Sequence, residues 1–306
     1  MHTAITIDAL KVLDAIDRKG SFAGAASELF RVPSAISYTV QKLEEDLNVS
    51  IFDRSGHRAT LTPAGRYLLE EGRALLEAAE NLAHTTRQVA QGWETRLRIG
   101  FNALLPAQCL FPAIETFYNL GVPVDVQIIE EVFAGAWDAL QSRRVDLIVG
   151  ADHFSKPAGN FTTHNLGEIQ FAFAVAKDHP LARAPEPLTE EDICRFPAAV
   201  AADTSQNLPP GHAGIFRRQR TLTVANMDQK IATQASGLAV GWLPTPRIRD
   251  ELKQGSLVIK SVHEPRQPAV LLLARHSEDQ GKALMWFWNH LISDNTIADW
   301  ISGQDN

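Results

Sequence analysis

Residues 32–47, VPSAISYTVQKLEEDL, have one side suited to burial and another suited to contact. Ile36, Val40, Leu43 and Leu47 recur at helical spacing and should pack inward. The opposite face carries no acid and comprises Ser34, Ala35, Ser37, Tyr38, Gln41 and Lys42. Such side chains can approach base edges and phosphates, and glutamine can pair with adenine. The pattern predicts a helix that enters a DNA groove, although most amphipathic helices present their polar face only to solvent.

The preceding segment supports this prediction. Ser21 can cap a short helix whose apolar face consists of Phe22, Ala25, Ala26 and Leu29. Residues 30–32 then form a turn, and Pro33 occupies a first helical position, where the missing N–H costs nothing. Two short helices joined by a tight turn form a helix-turn-helix, here at about residues 22–41. An amphipathic helix over residues 7–18 should support it.

Residues 51–62 predict a wing of two short strands around the turn Ser55-Gly56. Three basic side chains in this hairpin could enter a minor groove or bind phosphates: Arg54, His57 and Arg58. A solvent-exposed polar turn is the alternative. The all-α winged helix-turn-helix domain is therefore expected over residues 5–62.

A long linker helix is predicted over residues 63–92, because Thr62 can cap it and Pro63 suits its first position. Apolar residues repeat every seven positions along it, at Leu68, Leu75, Leu82 and Val89. Small residues run beside them and would let a second helix approach closely: Gly72, Ala79 and Thr86. The register favours a dimer seam, and the alternative is a helix packed on its own domain.

The composition changes after Gly92 to alternating strand and helix patterns, which predict parallel sheets with helical crossovers. A domain of two α/β lobes is expected over residues 93–303. Lobe I should comprise about residues 95–164 and 267–303, and lobe II about residues 165–266. Isolated Cys109 and Cys194 are expected to be packing residues, and the aromatic cluster near residues 286–300 to serve as core and interface anchors.

Open parallel sheets bind ligands beyond the carboxyl ends of their strands. The residues that follow the predicted strands are Asn102, Ala103, Phe133 and Asp152 in lobe I, and Asp203, Thr204 and Ser205 in lobe II. Amide, hydroxyl and backbone N–H groups suit an anionic or polar head, and Phe133 offers a flat wall. We expect a small aromatic or heterocyclic metabolite. Capping for Thr204 and Ser205, and core packing for Phe133, are the alternatives.

Several spaced motifs, GSFAGAASEL, PSAISYTVQKLEEDL and FDRSGHRATLTPAG, resemble the winged helix-turn-helix of the LysR-type transcriptional regulators. The resemblance continues through GVPVDVQ, RRVDLIVG, KDHPLA and ASGLAVGWLP. Val32 departs from the family's usual Ser or Thr cap, which weakens capping by about 1 kcal/mol. Arg31 stands where an apolar residue is common and adds a cation beside the groove.

The resemblance implies a periplasmic-binding-protein-like effector domain with a ligand between its lobes, promoter DNA as partner, and an activator or repressor assembled as a dimer of dimers. RNA polymerase is a further partner that it allows. No cofactor and no metal are expected, because Asp152, His153 and His164 match no standard metal spacing. Phosphate-binding, nucleophile-elbow and zinc-protease motifs are missing from the sequence, which disfavours the alternative of an enzyme.

The charge of the chain bears on DNA binding. The formal net charge is -7, and residues 1–66 hold three Lys and five Arg against eight acids. Acid-free runs at residues 30–42 and 55–66 nevertheless place cations where a groove would lie, so we expect modest affinity per subunit, raised by oligomerisation. The sequence shows neither a secretion signal nor eighteen consecutive apolar residues, so we expect a cytoplasmic protein without membrane association.

Overall fold

The computed structural model describes residues 5–53, 60–209 and 214–303. The chain divides into two compact units, with the boundary between Ala90 and Gln91. The first unit contains helices α1 (Ile7–Lys19), α2 (Phe22–Glu28), α3 (Pro33–Leu47) and α4 (Pro63–Ala90), with strands β1 (Phe52–Asp53) and β2 (Thr60–Leu61) between α3 and α4.

Local signals in the sequence explain where these helices begin and end. The side chains of Thr6 and Ser21 accept the N–H groups of Ala9 and Gly24, which caps α1 and α2. Gly20 ends α1 at a φ of 68°, a conformation that glycine adopts without strain. As predicted, α3 begins at Pro33, and Val32 provides no side-chain hydrogen bond to its first turn.

The core of the first unit forms where α1, α2 and α3 meet. Ile36, Val40 and Leu43 of α3 are buried as predicted, whereas Leu47 is half-buried. They pack with apolar residues of α1 and α2, among them Val12, Leu13, Ile16, Ala25 and Ala26. Strands β1 and β2 pair antiparallel, which confirms the strands of the wing. The tip of the wing, residues 54–59, lies outside the described residues.

Helix α4 begins as predicted, with the Thr62 hydroxyl accepting the N–H of Gly65. Leu69 and Gly72 are buried, and a Cβ on Gly72 would lie 2.7 Å from the Leu10 side chain. The missing side chain of Gly72 therefore admits α1 of the same unit, and its assignment to a partner helix was wrong. Arg73 strengthens this docking through ion pairs of 2.8 Å to both Asp14 and Asp17 of α1.

The second unit begins with the strands and helices of lobe I. In chain order these are β3 (Arg96–Asn102), α5 (Phe111–Tyr118), β4 (Asp125–Glu131), α6 (Gly135–Gln141), β5 (Leu147–Asp152) and β6 (Phe161–Ile169). Strands β3, β4 and β5 are parallel with helical crossovers, as expected. The lobe I core also buries Cys109, Phe287 and Trp288, which confirms the predicted packing of this cysteine and of the C-terminal aromatic cluster.

Lobe II and the return to lobe I follow. The elements are β7 (Phe171–Ala176), α7 (Glu190–Cys194), β8 (Ala198–Ala201), β9 (Thr221–Val224), α8 (Met227–Ala235), β10 (Gly241–Pro244), α9 (Arg249–Gln254), β11 (Leu257–Lys260), β12 (Ala269–His276), α10 (Lys282–Ser293) and α11 (Thr296–Ser302). Short 3-10 helices occupy Ala107–Leu110, Pro180–Arg183 and Thr245–Ile248. Strand β12 joins the lobe I sheet as predicted, in the order β4-β3-β5-β12-β6.

The sheets differ from the prediction in direction and in extent. Strands β12 and β6 run antiparallel to their neighbours, and in lobe II β10 and β11 flank β7 antiparallel. Only β8 and β9 form a parallel pair among the described lobe II strands. Strand β6 belongs wholly to lobe I, so a lobe boundary at residue 164 falls inside a strand, and the crossing lies at Gln170.

Candidate nucleic-acid interface and effector cavity

The outward face of α3 is free of the unit's core. Ser34, Ser37, Tyr38, Gln41 and Lys42 are exposed, and Ala35 is half-buried. Burial of the opposite face fixes the helix, so these side chains form one ridge directed away from the core. The acidic Glu44 is directed elsewhere, because its carboxylate accepts the N–H groups of Ile51 and Phe52 at 2.7 and 3.2 Å. The ridge presents donors and acceptors without a competing negative charge in its first two turns.

Two members of the predicted DNA-contact set already have partners within the unit. Arg31 forms a two-point ion pair with Asp8, at 2.9 and 2.6 Å, and this hydrogen bonding holds the pKa of Asp8 below its ordinary value. The Gln41 amide donates to Glu45 at 2.8 Å. Either side chain must exchange its partner to reach a base or a phosphate. Arg54, His57 and Arg58 lie outside the described residues.

The linker helix α4 presents apolar side chains outward. Leu75, Leu82 and Val89 are exposed over 52%, 69% and 51% of their surface, whereas Leu68 packs against the core of its own unit. A helix with such a row of exposed apolar side chains has a surface that a second helix can cover. The row available for pairing thus begins at Leu75.

A cavity of about 220 Å³ lies between the two lobes of the second unit. Four residues of the predicted effector site line it: Asn102, Ala103, Phe133 and Asp152. They lie at the carboxyl ends of β3, β4 and β5 or directly after them, as the strand-end rule for parallel sheets requires. Asn102 is buried and accepts the N–H of Leu104 at 3.0 Å, and Phe133 has a positive φ of 49°. The rule located the lobe I wall of the cavity.

Asp203, Thr204 and Ser205 do not line this cavity, which corrects the predicted lobe II contribution. The segment 203–208 leaves lobe II and binds lobe I instead. The Thr204 hydroxyl donates to Glu131 and accepts the N–H of Val132, while Asp203 accepts the N–H of Ala134 at 3.2 Å. The side-chain oxygens of Asp203 and Thr204 therefore join the two lobes.

Asp138 of α6 completes this junction. Its carboxylate accepts the N–H groups of Gln206, Asn207 and Leu208 at 2.9 to 3.2 Å and pairs with Arg144. Burial opposes ionisation of Asp138, but these donors outweigh it and lower the pKa of its carboxyl group. For Glu131, in contrast, burial dominates and raises the pKa.

Further lining residues, which the strand-end rule does not predict, are Phe171, Ala201, Met227, Lys230 and Trp242 of lobe II, Arg266 of the second crossing (residues 261–268, between β11 and β12), and Ala269 at the start of β12. Lys230 is only 5% exposed, and burial followed by the nearby charge of Arg266 lowers its pKa to about 7. The sequence contains a signal for the burial of Lys230, because residues 227, 230, 231 and 234 share the buried face of α8. A lysine at an apolar position of that repeat marks a buried cation.

A helix-turn-helix unit joined to a two-lobed α/β domain with an interlobe cavity defines a DNA-binding regulator that carries a ligand-binding domain. Residues 7–66 match the bacterial regulatory helix-turn-helix proteins of the lysR family, and residues 90–295 match the LysR substrate binding domain. The chain belongs to the family of LysR-type transcriptional regulators. The prediction of an effector-modulated regulator is thereby confirmed, and family membership also supports the choice of a regulator over an enzyme.

Similar proteins agree with this assignment. The Escherichia coli protein named probable HTH-type transcriptional regulator YhaJ is 40% identical over 285 residues, covering 92% of this chain and 94% of that protein. A mutant OxyR from Corynebacterium glutamicum gives a TM-score of 0.61 at 18% identity, covering 98% of this chain and 97% of that chain. LysG of the same organism, with bound effector arginine, gives a TM-score of 0.50 at 19% sequence identity. The match covers 97% of this chain and 99% of that chain. These two structures show the fold alone.

No helix within the described ranges is both long and apolar enough to span a membrane.

Proposed function

We propose that the outward face of α3 reads base pairs in the major groove through Ser34, Ala35, Ser37, Tyr38, Gln41 and Lys42. The observation that carries this proposal is the exposed, acid-free ridge on a helix whose other face is fixed in the core. Arg31 and the wing residues Arg54, His57 and Arg58 would add phosphate or minor-groove contacts. Promoter DNA would release Arg31 from Asp8.

The test is fluorescence anisotropy with the intergenic DNA upstream of the protein's own gene and a scrambled duplex, over a range of salt concentrations. Ser37→Ala or Gln41→Ala should reduce the preference for the native duplex by about 1 to 3 kcal/mol. Arg58→Ala should weaken both duplexes and lower the salt slope by about 1. Gln254→Ala, an exposed glutamine of the second unit, is the matched control. Unchanged preference in both α3 variants would contradict the reading surface.

The exposed row Leu75, Leu82 and Val89 on α4 supports a dimer in which two linker helices pair, whereas Leu68 of the same seven-residue repeat packs within its own unit. Such a pair would hold two reading helices at one spacing and favour a partly palindromic operator. A dimer of dimers would add avidity to subunits whose residues 1–66 carry no formal net charge. RNA polymerase would be a further partner at the promoter, and promoter binding would place the protein in the cytoplasm.

The effector would occupy the interlobe cavity, whose apolar walls support an aromatic or heterocyclic molecule. An apolar cavity of roughly 150 Å³ can hold benzene, so the present cavity suits one or two rings. Occupancy would favour one lobe arrangement and thereby alter promoter binding, as activation or repression. LysG, for comparison, is described with its effector arginine bound.

A further inference from the structure

The charges that line the interlobe cavity are unbalanced. Among its described lining residues, Lys230 and Arg266 are cationic and Asp152 is anionic. The Asp152 carboxylate is engaged locally, by the Ser155 hydroxyl at 2.7 Å and the N–H of Phe154 at 3.3 Å. With both cations charged, the lining carries one excess positive charge, so one added anion would neutralise it.

Lys230 is the more informative of the two cations. It is 5% exposed, yet its ammonium group forms no hydrogen bond or ion pair within residues 5–53, 60–209 and 214–303. Elsewhere the protein satisfies a buried lysine fully, because Lys260 pairs with Glu186 at 2.6 Å and donates to the carbonyls of Ala182 and Ala184. A buried ammonium without a partner is costly unless a ligand supplies one.

Arg266 also lacks a hydrogen-bond partner within the described residues, although its surroundings differ from those of Lys230. Its guanidinium lies over the ring of Phe171, 3.6 Å from the centroid, and no hydrogen bond to its N–H groups occurs in the described part of the chain. Burial lowers the pKa of Arg266 to about 10, so it stays charged at neutral pH. Its forked donors match the geometry of a carboxylate.

The remaining walls suit the body of a flat molecule. Phe133, Phe171 and Trp242 contribute rings, and Met227 contributes an adaptable thioether. Resting on the proposed effector role of this cavity, we infer that the effector is an aromatic or heterocyclic carboxylate, its anionic group held between Lys230 and Arg266 and its ring against these apolar walls.

The cavity should couple binding of this anion to proton uptake. The charged groups that line the cavity together with Lys230 are Arg266, from the segment between β11 and β12, and Asp152, at the end of β5, whereas β7, β8 and β10 contribute only uncharged lining residues. Because burial and the charge of Arg266 lower the pKa of Lys230 to about 7, much of this side chain is neutral above that pH before an anion binds. A carboxylate favours the ammonium form, so its affinity should fall as the pH rises above about 7.

The experiment is calorimetric titration of the full-length protein with benzoate, 1-naphthoate and indole-3-carboxylate, each beside its neutral amide, at about pH 6.5 and about pH 9. At least one acid should bind about 10-fold or more tightly than its amide. Lys230→Met should weaken the binding of that acid by about 10- to 100-fold and remove most of the pH dependence of its affinity. Lys253→Met, which changes an exposed lysine of lobe II, is the matched control and should bind like the unaltered protein.

Three outcomes would overturn the inference: equal binding of acids and amides, no binding of any acid, or full acid affinity in Lys230→Met. Tryptophan emission and circular dichroism establish that the variant is folded before it is titrated. Fluorescence anisotropy with the duplex from upstream of the protein's own gene, measured on the same preparations, tests the proposed DNA binding separately from the inferred carboxylate binding. Retained sequence-specific DNA binding would leave the regulator proposal standing while the carboxylate inference fails.

Discussion

Replacing Lys230 by methionine should stabilise the effector domain, by an amount that depends on pH. Burial lowers the pKa of this side chain from 10.5 to about 7, so between these values the unfolded chain holds a proton that the folded chain has lost. Stability then rises with pH across that window, and below about pH 7 the penalty is constant and largest. At about 1.4 kcal/mol per pH unit, the penalty reaches an upper limit of roughly 4 to 5 kcal/mol.

Methionine has a similar length and no charge, so the variant should lack this penalty. Its advantage over the unaltered protein should shrink by roughly 2 to 3 kcal/mol between about pH 6.5 and about pH 9. All six tryptophans lie beyond residue 90, so urea unfolding followed by tryptophan emission reports on the effector domain. Lys253→Met controls for the loss of a charge at an exposed site. An advantage independent of pH, or a less stable variant at pH 6.5, would refute the reasoning.

Three further substitutions test other parts of the chain. Val32→Ser supplies the side-chain cap that α3 lacks and should stabilise the DNA-binding unit by about 1 kcal/mol, measured by thermal unfolding in far-UV circular dichroism; no gain would show that this helix end needs no cap. Leu82→Glu places a charge in the exposed apolar row and should shift the protein to a smaller species in light scattering, while Glu80→Gln should not. Asp138→Ala removes the acceptor of three backbone N–H groups and should cost about 3 to 5 kcal/mol, with faster hydrogen exchange at residues 206–208. Because the pKa of Asp138 lies below its ordinary 3.8, this contribution should persist above that pH and be lost in stronger acid; unaltered exchange would contradict the assigned role.

The DNA-binding unit was predictable because its signals are local. The repeat Ile36, Val40 and Leu43, the Ser21 cap and the proline at the start of α3 act within a few residues of one another. Strand direction in the second unit could not be predicted in this way. Alternating strand and helix patterns leave open whether β12 and β6 run parallel or antiparallel. Those directions depend on how distant segments of the chain meet in the sheet.

The lining of the candidate cavity was likewise predictable only in part. Its lobe I wall follows from a general property of parallel strands, so Asn102, Phe133 and Asp152 could be selected from the sequence. Thr204 could not be excluded in that way, because its partners Glu131 and Val132 lie more than seventy positions away. Arg266 sits in an irregular segment that has no periodicity, so only the folded chain brings it to Phe171.

The contact between Arg266 and Phe171 links the segment that returns the chain to lobe I with the first residue of β7, directly after the crossing at Gln170. Any rotation of one lobe against the other changes backbone angles in these segments, and the same two side chains form part of the cavity wall. Under the effector role that we propose for this cavity, binding of the effector would therefore be coupled to the angle between the lobes. Within that proposal, effectors of different width should hold the lobes at different angles and should change promoter binding to different extents.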